Sequence, residues 1–265
     1  MSKIITNTLV LFALFFVTWF ALNQINWMQL FQVEKISEKT EQELGKIYSK
    51  IFTESDSNIE DEYLKTTIDT IVQRITDQNY IDSSKIKIHL VENSEINAFA
   101  LPDYHIVIYT GLLNEVQNEE ELAGIICHEI AHLELHHVTK KLIKEIGINA
   151  ILSMTTGHKN GQLIKESIGV LSSTAYDRIL ETQADSMAVT YLTHSNISPK
   201  PLADFLIRLS NYKTDSEITE WINTHPDSKD RAKNIMGFNF EIKENQRILT
   251  DSTWALFKEK VKLYQ

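Results

Sequence analysis

The sequence predicts a predominantly helical α+β fold in which a small β-sheet lies next to one long helix, with a single apolar helix at the N-terminus. Three observations predict it. Apolar residues recur three and four apart along most of the chain, which is the helical period. Residues 85–110 break that rule, with the alternation and β-branched runs that mark strands. Residues 4–22 carry no charged side chain at all. Gly and Pro number only 8 and 4, so no flexible linker divides the remainder. We expect an N-terminal membrane segment within residues 1–30 and one soluble domain over residues 34–265.

With 265 residues, 43% of them hydrophobic and 23% charged, the chain is long enough to bury a core in one domain. Its formal net charge is −10, and no run of Lys and Arg interrupts the acidity. That excludes a nucleic-acid binder, which presents a basic stripe. The single cysteine, Cys127, cannot form an intramolecular disulfide, so it does not report the redox compartment.

The segment "IITNTLVLFALFFVTWFAL" meets the roughly 20 apolar residues needed to cross a bilayer. Trp19 and Trp27 suit the far interface, where indole rings are favoured. A cleaved signal peptide is the alternative, but its apolar region usually spans only about 7–15 residues before a small-x-small site. No such site follows Phe20. We therefore expect an uncleaved signal anchor. Lys3 precedes the span, which places the N-terminus in the cytoplasm and the domain on the extracytoplasmic, periplasmic side. Secretion to the periplasm after cleavage is the rival outcome.

Residues 34–52 and 59–78 read as amphipathic helices. In the second, Ile59, Tyr63, Ile68, Ile71, Val72 and Ile75 share a face. "KIKIHLVE" alternates polar and apolar and reads as a half-buried strand. "HIVIYT" reads as a second strand, with Pro102–Asp103 as the turn before it. The long helix starts at Asn118, a good N-cap, with Glu121 completing a capping-box-like pair. Glu119 and Glu120 suit the positive end of its dipole, and Lys140 and Lys141 are expected at the other end. Further helices are expected over 142–176, 176–194 and from Pro199 to about residue 212.

"CHEIAHLELHH" lies on the long helix. Residues four apart share a helical face, so His128 and His132 can grip one cation. Glu129 lies one step round, where it can act as general base on a water without ligating the metal. Zinc acidifies its water to a pKa near ~7, which puts that proton within reach of a carboxylate. A catalytic site needs a third protein ligand. The H-E-x-x-H-x-x-G-x-x-H pattern fails at Leu135 and Val138, and His136 lies too far along the axis from His128. The remaining candidate is Glu181 in "YDRILETQADSMA", with Asp185 four residues on, able to orient a ligand imidazole. The same pair reads equally as a solvated acidic face, and residue chemistry alone leaves both open.

Four motifs in order resemble one family of gluzincin zinc metalloproteases, that of HtpX, the Ste-type CAAX prenyl proteases, BepA and the mitochondrial Oma protease. They are "NAFALPDYHIVIYTGLL", "HEIAH", "DRILETQAD" and "NTHPDSKDR", spread over roughly residues 60–235. Asp103 and His105 depart at or near the first motif's glycines. Asp177 stands for a serine and Gln183 for a glutamate in the third. The resemblance implies a zincin-like metalloprotease domain with one zinc ion per chain. It implies His128, His132 and Glu181 as metal ligands, Glu129 as catalytic base, and Asp185 and Arg178 behind them. It makes His225 a further catalytic candidate, as a fourth ligand in a latent form or as an oxyanion stabiliser. His137 is expected to be structural. His89, His105, His136, His158 and His194 are expected only to pack or to face solvent.

The implied reaction is endopeptidase cleavage of misfolded or misassembled proteins, as membrane-anchored quality control. An extended protein or peptide substrate is expected beside the strand at Ile106–Tyr109, by main-chain pairing. A chain with one span is less suited to CAAX prenyl proteolysis, whose enzymes carry several. The rival from another class is a non-catalytic, zinc-stabilised binding or chaperone module, against which the presence of Glu129 counts.

Overall fold

The computed structural model describes residues 2–24, 38–55, 57–156, 161–212, 220–242 and 247–264. The chain divides into two units, Met1–Lys39 and Thr40–Gln265. In the first, α1 runs over Ser2–Gln24. Its described side chains are those of Asn7, Thr8 and residues 10–20, and the large apolar ones among them are exposed on every face. No helix of the described residues is long and apolar enough to cross a membrane. The expected start of the next helix, at residue 34, lies outside the described residues, and α2 spans Glu38–Thr53.

In the second unit, α3 (Glu62–Asn79) begins at Asp61, whose carboxylate accepts from the Tyr63 and Leu64 amides. A three-stranded sheet follows, of β1 (Lys87–Val91), β2 (Ala98–Leu101) and β3 (His105–Tyr109), in the order β1-β3-β2. β3 runs parallel to β1 and antiparallel to β2. It is therefore the central strand, and both its edges are paired. That overturns the expectation of a substrate strand beside Ile106–Tyr109, because no main-chain groups remain there to receive one.

The sheet's two edges belong to β1, whose Leu90 carbonyl accepts from the Ile59 amide, and to β2. The Tyr109 amide donates to the Asn97 carbonyl, so Asn97, Phe99 and Leu101 turn their main-chain groups toward β3. Ile96, Ala98 and Ala100 turn theirs away from it. The β2–β3 turn uses two left-handed residues, Asp103 (φ 62°) and Tyr104 (φ 60°). Gly45 of α2 lies so close that a Cβ there would come within 2.4 Å of Asp103 Cβ.

After α4 (Thr110–Glu115) comes α5 (Glu119–Glu134), the helix that carries the histidine pair. Asn118 Oδ1 accepts from the Glu121 amide at 2.8 Å. Glu121 Oε2 reaches back to the Gln117 amide at 2.9 Å, one residue before the cap, and its other oxygen holds Arg208. α5 stops at Glu134, short of Lys140 and Lys141, which belong to α6 (His137–Ile146). The break is His136, at φ 54°, a left-handed residue of a type that gives no warning in the sequence.

α7 (Ile148–Thr155) and α8 (Gly161–Ser173) follow, then α9 (Arg178–His194) and α10 (Lys200–Ser210). α9 and α10 both pack on α5, and β2 lies along it too. Gly124 lets α10 approach closely, since a Cβ there would sit 2.7 Å from Leu202 Cβ. α11 (Glu220–Thr224), α12 (Ser228–Gly237) and α13 (Asp251–Val261) complete the unit.

Candidate metal centre

α5 lies in the middle of the unit, so its polar residues are as buried as its apolar ones. His128, Glu129 and His132 are fully buried. α9 crosses beside them and contributes Glu181 and Asp185, both at most 2% exposed. The segment just after α11 brings His225, also fully buried, and α12 brings Arg231. Two main-chain bonds fix the His225 segment: Trp221 N–H donates to the Ile96 carbonyl at 3.1 Å and Tyr176 N–H to the Thr224 carbonyl at 3.0 Å.

Four donor atoms converge. His128 Nε2 is 3.0 Å from His132 Nε2 and 3.6 Å from Glu181 Oε2. His132 Nε2 is 3.3 Å from Glu181 Oε1. His225 Nδ1 is 3.3 Å from His128 Nε2 and 3.1 Å from Glu181 Oε1. All four residues offer atoms within 4.8 Å of one another. Zinc ligands at 2.0–2.1 Å in a tetrahedron stand about 3.3 Å apart. The spacing and the two-histidine, one-carboxylate chemistry therefore fit a zinc ion, with His225 at a fourth corner.

Glu129 stands apart from that set. Neither of its carboxyl oxygens has a hydrogen-bond partner. The Ala100 amide on the outward edge of β2 faces the carboxyl without closing a bond. His225 Nε2 is 3.5 Å from its Oε1. Burial, and then the charge of Glu181, push the Glu129 carboxyl well above the usual range. Burial also lowers His132 and His225 to about 4. These imidazoles are neutral at neutral pH, as ligands must be.

Arg231 organises the acids. Its guanidinium grips Asp185 through Nε at 2.8 Å and Nη2 at 2.6 Å, and Nη1 lies 2.5 Å from Glu181 Oε2. Burial opposes ionisation of both acids, but Arg231 outweighs it and holds both carboxyls well below their ordinary values. Asp185 Oδ1 in turn lies 3.1 Å from His128 Nδ1. Tyr176 stacks on the His132 ring at 4.1 Å between centroids, and Lys141 Nζ sits 4.0 Å from the Tyr176 ring. Trp221 stacks on His225 at 4.2 Å.

Arg178 is not part of this centre. Its side chain is 83% exposed and pairs with Asp227 at 2.6 Å. The first residue of α9 points out to solvent when Glu181, three residues on, points in. The arginine that matters is Arg231. It closes the T-H-P-x-x-x-x-R element, so the motif contained it, but spacing alone gave it no partner. His137 is buried against His132, and His136 faces solvent near Glu41. His89 and His105 pack together inside at 2.7 Å, and His194 bonds Asn79. Cys127 is buried. His158 lies outside the described residues.

Residues 62–238 match peptidase family M48. The chain belongs to that family. It is 28% identical over 163 residues to the mitochondrial metalloendopeptidase OMA1 of Bos taurus, covering 56% of this chain and 31% of that one. It is 26% identical over 217 residues to the beta-barrel assembly-enhancing protease of Escherichia coli, covering 74% and 44%. Metalloprotease LoiP of Escherichia coli is 27% identical over 163 residues, covering 59% and 64%. The chain thus spans about a third of the length of the bovine relative. M48 membership brings zinc to a site whose donor atoms suit it.

Removing Arg231 from the metal-free protein leaves Glu181 and Asp185 buried and uncompensated. Arg231→Met should cost roughly 3–5 kcal/mol in urea unfolding. Saturating zinc should recover part of the loss, because it binds only the folded form. An unchanged midpoint would show that Arg231 does not offset the charge of Glu181 and Asp185.

Proposed function

We propose that this chain is a zinc-dependent endopeptidase, in which His128, His132 and Glu181 hold the metal and Glu129 is the general base. The supporting observation is the close set of neutral nitrogens and one carboxylate, with the unpartnered Glu129 carboxyl beside it. Zinc bound there would supply Lewis acidity toward the peptide carbonyl and acidify a water. Glu129 takes the proton from the attacking water and hands it to the leaving amine. Asp185 keeps the His128 proton on Nδ1, leaving Nε2 for the metal. Arg231 fixes Asp185 and Glu181 in place. A Glu129→Gln variant should keep its zinc and lose cleavage of unfolded casein by a factor of at least about a hundred. Casein cleavage by that variant at the wild-type rate would end the base assignment, whereas a zinc-loaded wild type that cleaves no casein would favour a metal-stabilised binding module.

The substrate is an extended segment of protein, paired to the outward edge of β2 at Ala98 and Ala100. Main-chain pairing is weakly selective for side chains, which suits clearance of misfolded or misassembled proteins. As described, the centre is closed. Every member is buried, His225 Nδ1 stands at the fourth corner, and Trp221 takes the Ile96 carbonyl on the same edge. These contacts favour a latent role for His225 over an oxyanion role. His225→Ala should raise kcat/KM on casein several-fold. A clear fall would reverse the choice.

The domain is held to a membrane by residues 4–22, with the domain on the extracytoplasmic side. The reading is supported by the uncharged sequence and by the apolar side chains exposed around residues 10–20. N-terminal sequencing of the membrane fraction should return Met1 or Ser2. A start beyond residue 20, from soluble protein, would show cleavage instead.

A further inference from the structure

The β-sheet carries a second histidine pair, on the face that α2 covers. His89 of β1 and His105 of β3 are 6% and 2% exposed. Lys87 stands opposite His105 and His89 opposite Val107, so the two imidazoles are diagonal neighbours on one face. His89 Nε2 lies 2.7 Å from His105 Nδ1, and the rings stack at 5.0 Å and 14°. α2 closes over them at two points. Phe52 meets the His89 ring at 5.9 Å, and Gly45 lies against Asp103, which bonds Lys87 at 2.8 Å. The other charged groups acting here are Lys65 of α3, on His89, and Lys46 of α2, on Asp103.

A hydrogen bond between two neutral imidazoles holds one proton. Lys87 sets its direction. Its Nζ lies 3.4 Å from His105 Nε2, and an ammonium can only donate. His105 therefore carries its proton on Nδ1 and donates it to His89 Nε2. An added proton has two places to go. On His105 Nε2 it meets the Lys87 ammonium. On His89 Nε2 it meets the His105 N–H, unless that proton shifts to Nε2 and meets Lys87 in turn. Asp103 Oδ2, 3.9 Å from His105 Nε2, is too far to accept a hydrogen bond that would offset this. The packed pair thus resists protonation. Burial, followed by the nearby lysines, lowers both imidazoles to about 4.

We propose that the His89–His105 pair is an acid-operated latch that holds α2 on the sheet. Lifting α2 lets water reach both rings, which then regain the ordinary imidazole affinity for protons. Acid therefore stabilises the lifted form and not the packed one. The packed form is fully favoured above the ordinary imidazole pKa of about 6.5 and loses ground as pH falls from there toward about 4. The latch uses none of the four converging donors and is independent of the zinc reading.

The test is hydrogen–deuterium exchange of the full-length protein in detergent micelles, with rates corrected for the intrinsic pH dependence of amide exchange. Between pH 7 and pH 5, opening of α2 over residues 44–53 should rise about ten-fold or more, read against the α5 amides of the same protein. Replacing both rings, His89→Leu with His105→Leu, should abolish that rise. Lys87→Met leaves the rings packed and removes the opposing ammonium, so it should weaken the rise. Protection of α2 that stays constant across this range in the wild type would overturn the proposal. So would a rise of wild-type size in the double leucine protein or in Lys87→Met.

Discussion

Three carboxylates share one guanidinium in the interior of this protein. Glu129, Glu181 and Asp185 are all buried, and Arg231 faces two of them. Ionised groups are expensive to bury unless paired. Arg231 keeps Glu181 and Asp185 ionised, and Glu129 is left to rise well above its usual pKa. Lys141 lies nearby but spends its ammonium on the Thr174 carbonyl and the Tyr176 ring. The site is short of positive charge, and a divalent cation at the four converging donors would supply it. Much of the surrounding architecture serves this balance, including the Asp185–His128 contact and the approach of α12 to α9.

That constraint also explains why the centre is built from distant parts. α5 alone can offer two imidazoles and a base, because four residues make one turn. It cannot offer a third ligand on the same side. α9 packs against α5 and supplies Glu181. The close approach of α10 at Gly124 helps hold α5 in place. The His225 segment enters last and is tied by backbone bonds at both Trp221 and Thr224. Closing the site in this way keeps the acids dry and leaves the β2 edge partly occupied.

Local chemistry was legible in the sequence. The Asn118 cap, the helical spacing of His128 and His132, and the alternation in β1 each follow from neighbours within a turn or two. β2 was not legible, because both its faces are buried and "AFAL" has no polar alternation. The break after α5 was hidden by His136, a non-glycine residue in a left-handed conformation. Which strand is central depends on the order β1-β3-β2, and no single strand's sequence carries that order. The role of Arg231 depends on a contact between helices more than forty residues apart. Arg178, inside the right motif, faces the wrong way, which spacing from Glu181 alone did not reveal.

One zinc ion is expected to complete this buried, acid-rich site. Anomalous diffraction at the zinc absorption edge, from crystals of the zinc-loaded protein, would locate it. A single peak is expected among His128 Nε2, His132 Nε2 and a Glu181 carboxylate oxygen, with none at Cys127. Zinc-loaded crystals with no peak there, or with the ion bound elsewhere on the chain, would contradict it.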